Sequence, residues 1–394
     1  MTRWVRAIKR GWVLTDRVPG PDVDEFAEAS EVVAALAESH GGRDTLLAVQ
    51  HPHRTPQALT QGLSLADALP AARQALDRLR ASAYRQVADV VAPYRVDGPD
   101  GGVAVGLLCL VDSAAVDVHG RSRVRHSEEV YLQVAIERAA VLAGLGCATS
   151  AAMLVPVING EQLTAAVLDT INGLGAPVVS INDSDGRMHR LWLLGPGAGQ
   201  EAVLGTAAGS PLLVADGNHR LAAAAASDRS SLLSLVTGGP ALRIGAIHRA
   251  LVGTGLTSGD LADAWLRAGL SVRQGRQLES PGCPGSVVAR ASGADLLVTL
   301  PGPGPGEPLP RIDHGLVERL LIADALSIDP AGPHVRALPA GHPAGPQVDA
   351  VLQLAPVPFA DVLAVHQQGR RMPRKSTYFT PKPRSGLLLA DLTE

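Results

Sequence analysis

The chain has 394 residues, 46% of them hydrophobic and 19% charged, a balance that fits a globular protein of one large or two to three ordinary domains and excludes disorder. A formal net charge of −3 and a pI of about 6.5 leave no global basic field to hold nucleic acid or an anionic membrane. Three cysteines, Cys109, Cys147 and Cys283, have neither zinc spacing nor the count of a disulfide framework, and a reducing cytoplasm suits them.

The first residues, MTRWVRAIKRGWVL, interleave Arg3, Arg6, Lys9 and Arg10 with apolar residues and build no apolar signal core, so export is not expected. Alanine and leucine at helical spacing predict amphipathic helices over Ala27 to Ser39 and Leu59 to Val91. Val103 to Val118 alternates and runs apolar, HGRSR breaks it and Val124 resumes, which predicts a hairpin. RHSEEV follows and sets Glu128 and Glu129 where a strand gives way to a helix over Tyr131 to Ala143, carboxylates at its positive end. Ala139 to Ile158 is uncharged over twenty residues, the length of a membrane span. GLGCATS and Pro156 interrupt it, so the expectation is a buried helix ending near Gly144 to Gly146 and a strand over Ala151 to Ile158.

Beyond that strand, Glu161 to Ile171 reads as a helix, Pro177 to Ile181 as a strand and NDSDGRMH as a turn before RLWLL. Asp183 and Asp185 are placed in turn chemistry rather than in a cation site. Next comes PLLVADGNHRLAAAAAS, Pro211 to Ser227, a short apolar strand, a polar pentapeptide and an alanine-rich helix. Asp216, Gly217, Asn218, His219 and Arg220 fall where the first helical N–H groups lack partners and the helix dipole favours an anion such as phosphate. The competing reading makes Asp216 or Asn218 an N-cap and the rest a solvated first turn. A second His-Arg pair, His248 and Arg249, lies in ALRIGAIHRALVG, a strand leading to a loop. Helices are predicted over Asp260 to Ala268 and Leu316 to Ala325, joined by proline- and glycine-rich connections. GTGLTSG has the wrong spacing for a dinucleotide or P-loop fingerprint. Only Lys9, Lys375 and Lys382 among 35 basic residues are lysine, and two of them fall in MPRKSTYFTPKPRSG.

Four stretches together resemble the domain-of-unknown-function family 1015, whose signature is a DGHHR pentapeptide and which is grouped with the ParB/sulfiredoxin-like fold. LLVADGNHRLAAA is similar to its strand, pentapeptide and helix, VRHSEEV to its RHE segment, AIHR to its later His-Arg, and MPRKSTYFTPKPRSGLLL to its C-terminal ending. Asn218 replaces the first histidine of the pentapeptide, and Ser127 stands where glutamate is usual. The resemblance implies a mixed α+β fold with a ParB/sulfiredoxin-like core. The divisions expected are a helical and mixed layer over 1–100, a core over 101–255 and an α/β region over 256–394. Sulfiredoxins carry cysteine at the Asn218 position; asparagine offers no thiolate, which disfavours sulfur chemistry. ParB proteins and the ParB-like free serine kinases share nucleotide phosphate as a theme.

By that resemblance the expected activity is phosphoryl transfer from ATP or ADP to a small hydroxylated metabolite such as serine, in the cytoplasm. A ParB-like nucleotide-binding regulator and a nucleotidase or phosphatase are the alternatives. The reaction needs donors around the phosphate, a cation, an acceptor for the hydroxyl proton and exclusion of water. Gly217, Asn218, His219 and Arg220 are expected to cradle phosphate, with Asp216 holding Mg2+. Glu128 or Glu129, with Asp216 and His219, are the expected catalytic groups. Lys375, Ser376 and Thr377 are expected to close over the nucleotide, and His248 and Arg249 to meet phosphate or a substrate carboxylate. Partners are the nucleotide and the hydroxyl substrate, with neither nucleic acid nor membrane.

Overall fold

In the computed structural model, residues 4–22, 26, 29–38, 44–227, 230–238, 241–345 and 347–393 are described. The fold is mixed α+β, and the chain divides into two units. The first comprises Met1–His126, Val130–Arg243 and Thr380–Glu394; the second comprises Ser127–Glu129 and Ile244–Phe379.

The first unit is organised by the apolar run Val103–Asp112, which forms a nearly continuously buried strand. It pairs antiparallel with Ser231–Gly238 on one side and Ala92–Asp97 on the other. Ser231–Gly238 runs parallel to Ala152–Pro156, which pairs antiparallel with Leu212–Asp216. Leu107, Cys109, Leu154, Leu212 and Val214 share one core with Leu163 and Val167 of helix Gly160–Leu174, Val203 of helix Ala198–Ala207 and Leu221 of helix Asn218–Ala225. Each such fully buried aliphatic side chain stabilises the fold by roughly 1.5–3 kcal/mol. A smaller sheet has the order Tyr84–Val90, Ile8–Leu14, Leu388–Asp391, Cys147–Ala148.

Three expectations are corrected here. The helix expected over Leu59 to Val91 runs over Leu65–Ala83, opened by a capping box between Ser64 and Asp67. It stops because Tyr84, Val87 and Val90 prefer an extended, half-buried strand, which pairs with Ile8–Leu14. The hairpin expected from Val103 to Val124 forms only as a short one around the turn, with a single antiparallel bridge between Val116 and Ser122 and the Arg123 N–H donating to the Ala115 carbonyl at 2.8 Å. Val124–Arg125 instead lies parallel to Leu212–Leu213 at the far edge of the large sheet, so the RHSEE segment leaves from beside the DGNHR strand. The helix expected over Tyr131 to Ala143 spans Leu132–Leu145 and ends on left-handed Gly146 as its glycine signals, but its first turns are not buried: Leu132 and Ile136 are exposed. The helix expected from Ala27 has its described span at Ala29–Glu38; residues 27, 28 and 39 lie outside the described residues.

The second unit is built on a six-stranded antiparallel sheet with the order Ser271–Gly275, Asp295–Thr299, Ser286–Ala291, Val348–Gln353, Ile247–Val252, Val335–Pro339. Helix Ser258–Arg267 lays fully buried Trp265 on it, and the indole N–H donates to the Leu321 carbonyl at 3.0 Å. Leu321 belongs to a π-wound stretch, Val317–Asp324, that continues helix Asp313–Leu316. Among the described residues no helix is long and apolar enough to cross a membrane.

Candidate functional site

Strand Leu212–Asp216 buries Leu212, Leu213 and Val214 completely, then shifts register against Ala152–Pro156 between Val214 and Asp216. Gly217 follows with φ +100°, and a Cβ there would lie 2.7 Å from the Arg220 Nε. The backbone therefore favours glycine, and a Cβ would push the Arg220 guanidinium aside. Gly217 is also the N-cap of helix Asn218–Ala225 and, having no side chain, makes no side-chain capping bond. Neither Asp216 nor Asn218 acts as the cap.

The Asp216 carboxylate gathers two cations instead. Its Oδ1 receives the Lys382 ammonium at 2.9 Å, and its Oδ2 pairs with the Arg220 guanidinium one turn on. Both cations are thereby fixed at the positive end of the helix. Asn218 Oδ1 lies 3.2 Å from His126 Nδ1. His219 Nε2 accepts the Tyr131 backbone N–H at 3.0 Å, which puts the proton of a neutral imidazole on Nδ1. The two rings are stacked, centroids 5.9 Å apart and planes within 3°. Asp216 thus carries two cations, and no group of three or more His, Cys, Asp or Glu side chains able to hold a metal gathers among the described residues.

The remaining expected residues fall in the second unit. Glu128 is buried, and its carboxylate accepts the backbone N–H groups of Lys375, Ser376 and Thr377 at 3.0, 3.1 and 3.0 Å and the Thr377 hydroxyl at 2.9 Å. Successive amides turned toward one anion form a nest, made possible by left-handed Lys375 at φ +51°. Arg249, 2% exposed, holds the same loop by its carbonyls: it donates to Arg374 O at 2.9 Å and Lys375 O at 3.1 Å while Glu318 pairs its guanidinium at 2.7 Å. His248 Nδ1 accepts the Leu354 N–H at 3.2 Å, and burial with Arg249 beside it holds its pKa below the usual histidine value. The His248–Arg249 pair is thus interior. Glu129 and the Lys375 side chain are exposed, and neither has a hydrogen bond or ion pair among the described residues.

The structure brings Asp216 to Arg220 together with His126, Tyr131 and Lys382, and Glu128 together with the Lys375 to Thr377 loop and Arg249. Roles for Lys382, Tyr131 and Glu318 were missed from sequence. The scarcity of lysine was the available signal for Lys382; Tyr131 and Glu318 had none.

The family described as "Protein of unknown function (DUF1015)" matches residues 58–267, more than half of the chain. The chain belongs to this family. No curated protein matches this DUF1015 member significantly. Among solved structures it is similar to a free serine kinase in complex with AMP, at 12% identity, TM-score 0.39 and coverage of 71% of this chain and 92% of that one. It is also similar to SbnI with a C-terminal truncation from Staphylococcus aureus (11%, 0.41, 73% and 89%) and to a conserved hypothetical protein from Pyrococcus furiosus (11%, 0.38, 71% and 95%).

Proposed function

We propose that the DUF1015 chain binds a nucleotide by its phosphates at Asp216 to Arg220 and transfers a phosphoryl group to a small hydroxylated metabolite such as serine. The observation that carries the reading is the pairing of Lys382 and Arg220 on the single carboxylate of Asp216, at the start of a helix whose N-cap is glycine. Two cations on one anion leave a net positive charge, and the helix amides add donors aimed the same way. A phosphate satisfies both. Charge on the transferring group is then offset by Lys382 and Arg220 rather than by a metal held on Asp216. AMP and ADP, with which a free serine kinase and a mutant of it respectively were solved, are the nucleotides chosen as probes.

Pure protein incubated with ATP or ADP, Mg2+ and a panel of hydroxy amino acids is expected to yield a phosphorylated product, detected by mass spectrometry. Tight nucleotide binding with no product removes the transferase reading and leaves binding. Arg220→Ala is expected to weaken ADP binding on the order of ten- to a hundred-fold, the worth of one charge-assisted bond, with the melting temperature little changed. Glu128→Gln and Glu129→Gln, made separately, test the two glutamates expected to take the hydroxyl proton: the one that does so lowers turnover without weakening ADP. Unchanged turnover in both eliminates the two carboxylates.

A further inference from the structure

The chain is nearly devoid of aromatic side chains, with three Phe, four Tyr and four Trp in 394 residues. Among the described residues only Tyr131 and Phe359 are exposed, each at 41%. Phe359 meets Phe379 edge-on in the second unit, centroids 6.0 Å apart. Tyr131 lies in the first unit and is held through both its backbone and its ring. It precedes helix Leu132–Leu145, which packs along helix Asn218–Ala225. Its backbone N–H is tied to His219 Nε2, and its ring lies flat on the imidazole. Leu132, the next residue, is 73% exposed. Solvent exposure of a rigid ring costs hydrophobic burial that the interior would have supplied.

Resting on the nucleotide reading above, we propose that Tyr131, backed by His219, is the platform on which the nucleobase stacks. His219 belongs to the same first helical turn as Arg220 and follows Gly217 and Asn218, so one short segment would hold the phosphate end through Arg220 and the base end through the ring it supports. A neutral imidazole beneath the tyrosine adds a second π-face without adding charge. The platform recognises a flat heteroaromatic ring by its face and is tolerant of which base it carries.

Calorimetric titration with ADP and with inorganic pyrophosphate separates the base from the phosphates. Tyr131→Ala should lose ADP affinity on the order of ten- to a hundred-fold and keep pyrophosphate affinity, while Tyr131→Phe keeps both. The bond to His219 comes from the backbone and survives both substitutions. Equal losses for the two ligands in Tyr131→Ala, or no loss for ADP, overturn the platform. Wild-type protein that binds pyrophosphate but not ADP also overturns it, with the anion site standing. Wild-type protein that binds neither overturns the nucleotide reading together with this one.

Discussion

At the scale of single residues, Glu128 changes meaning between sequence and structure. In the sequence it is one of two adjacent carboxylates at the start of a helix, as apt for accepting a proton as its neighbour. In the structure its oxygens take four donors from one loop, and a carboxylate so engaged acts first as the loop's internal counter-anion. Glu128→Ala is expected to destabilise the protein by about 2–3 kcal/mol, since it strands buried amides, and Glu128→Gln by less, since one acceptor oxygen remains. Denaturant melts measure both. Full stability in Glu128→Gln with lost turnover would return Glu128 to the chemistry. Gly217 was legible for a reason of a different kind: an alanine run after a polar pentapeptide announces a helix start, and glycine at the junction announces left-handed backbone. Lys382 beside Asp216 was not legible, because no local pattern encodes a pairing between residues so far apart in the chain.

At the scale of elements, the hairpin Val179–Asn182 with Met188–Leu191 shows a turn reading that holds. Asp183 accepts the backbone N–H groups of Asp185 and Arg187 at 3.0 and 2.9 Å, the Arg187 guanidinium at 2.6 Å and His189 Nε2 at 2.8 Å. Those bonds outweigh burial and hold its pKa well below the usual carboxylate range. On its other ring nitrogen, Nδ1, His189 meets the Tyr94 hydroxyl at 2.6 Å, so the turn is tied to the strand Ala92–Asp97 through a buried chain of polar groups. Asp183→Ala is expected to cost about 2–4 kcal/mol in a denaturant melt, with no change in metal content. A cost below about 0.5 kcal/mol, the range of ordinary surface substitutions, would make the network ornamental. Elements with one strong local signal, such as the Leu132–Leu145 and Gly160–Leu174 helices, were legible. Tyr84–Val90 was not, because its alanine and arginine neighbours continue the helical spacing and only pairing with Ile8–Leu14 decides the outcome.

Across the whole molecule, two histidines contribute to the response to acid. His51 in the first unit is pushed down to about 3 by burial and by Arg54, Arg138 and His53; His314 in the second is pushed to about 3 by burial, Arg249 and His248. The folded state keeps both neutral while the unfolded chain takes up protons below about 6.5. Their contribution to stability is therefore complete above that pH and is lost as pH falls from about 6.5 toward 3. Melting temperatures between pH 7.5 and 4.5 should fall with acidity, and His314→Gln should make the fall shallower. A flat profile in the wild type would show that neither histidine is held neutral.

The strand Leu388–Asp391 lies between Ile8–Leu14 and Cys147–Ala148, with Gly11 opposite Ala390. Until residue 391 has been synthesised, two strands made far earlier face each other across a gap. At about 5–20 residues per second the wait is on the order of 20–80 seconds. Through that time Ile8–Leu14 presents an unpaired edge, and an edge of that kind is a template for any other extended chain. The smaller sheet thus closes only once residues 388–391 have been made, and a nascent chain stalled short of residue 388 is expected to keep that edge open.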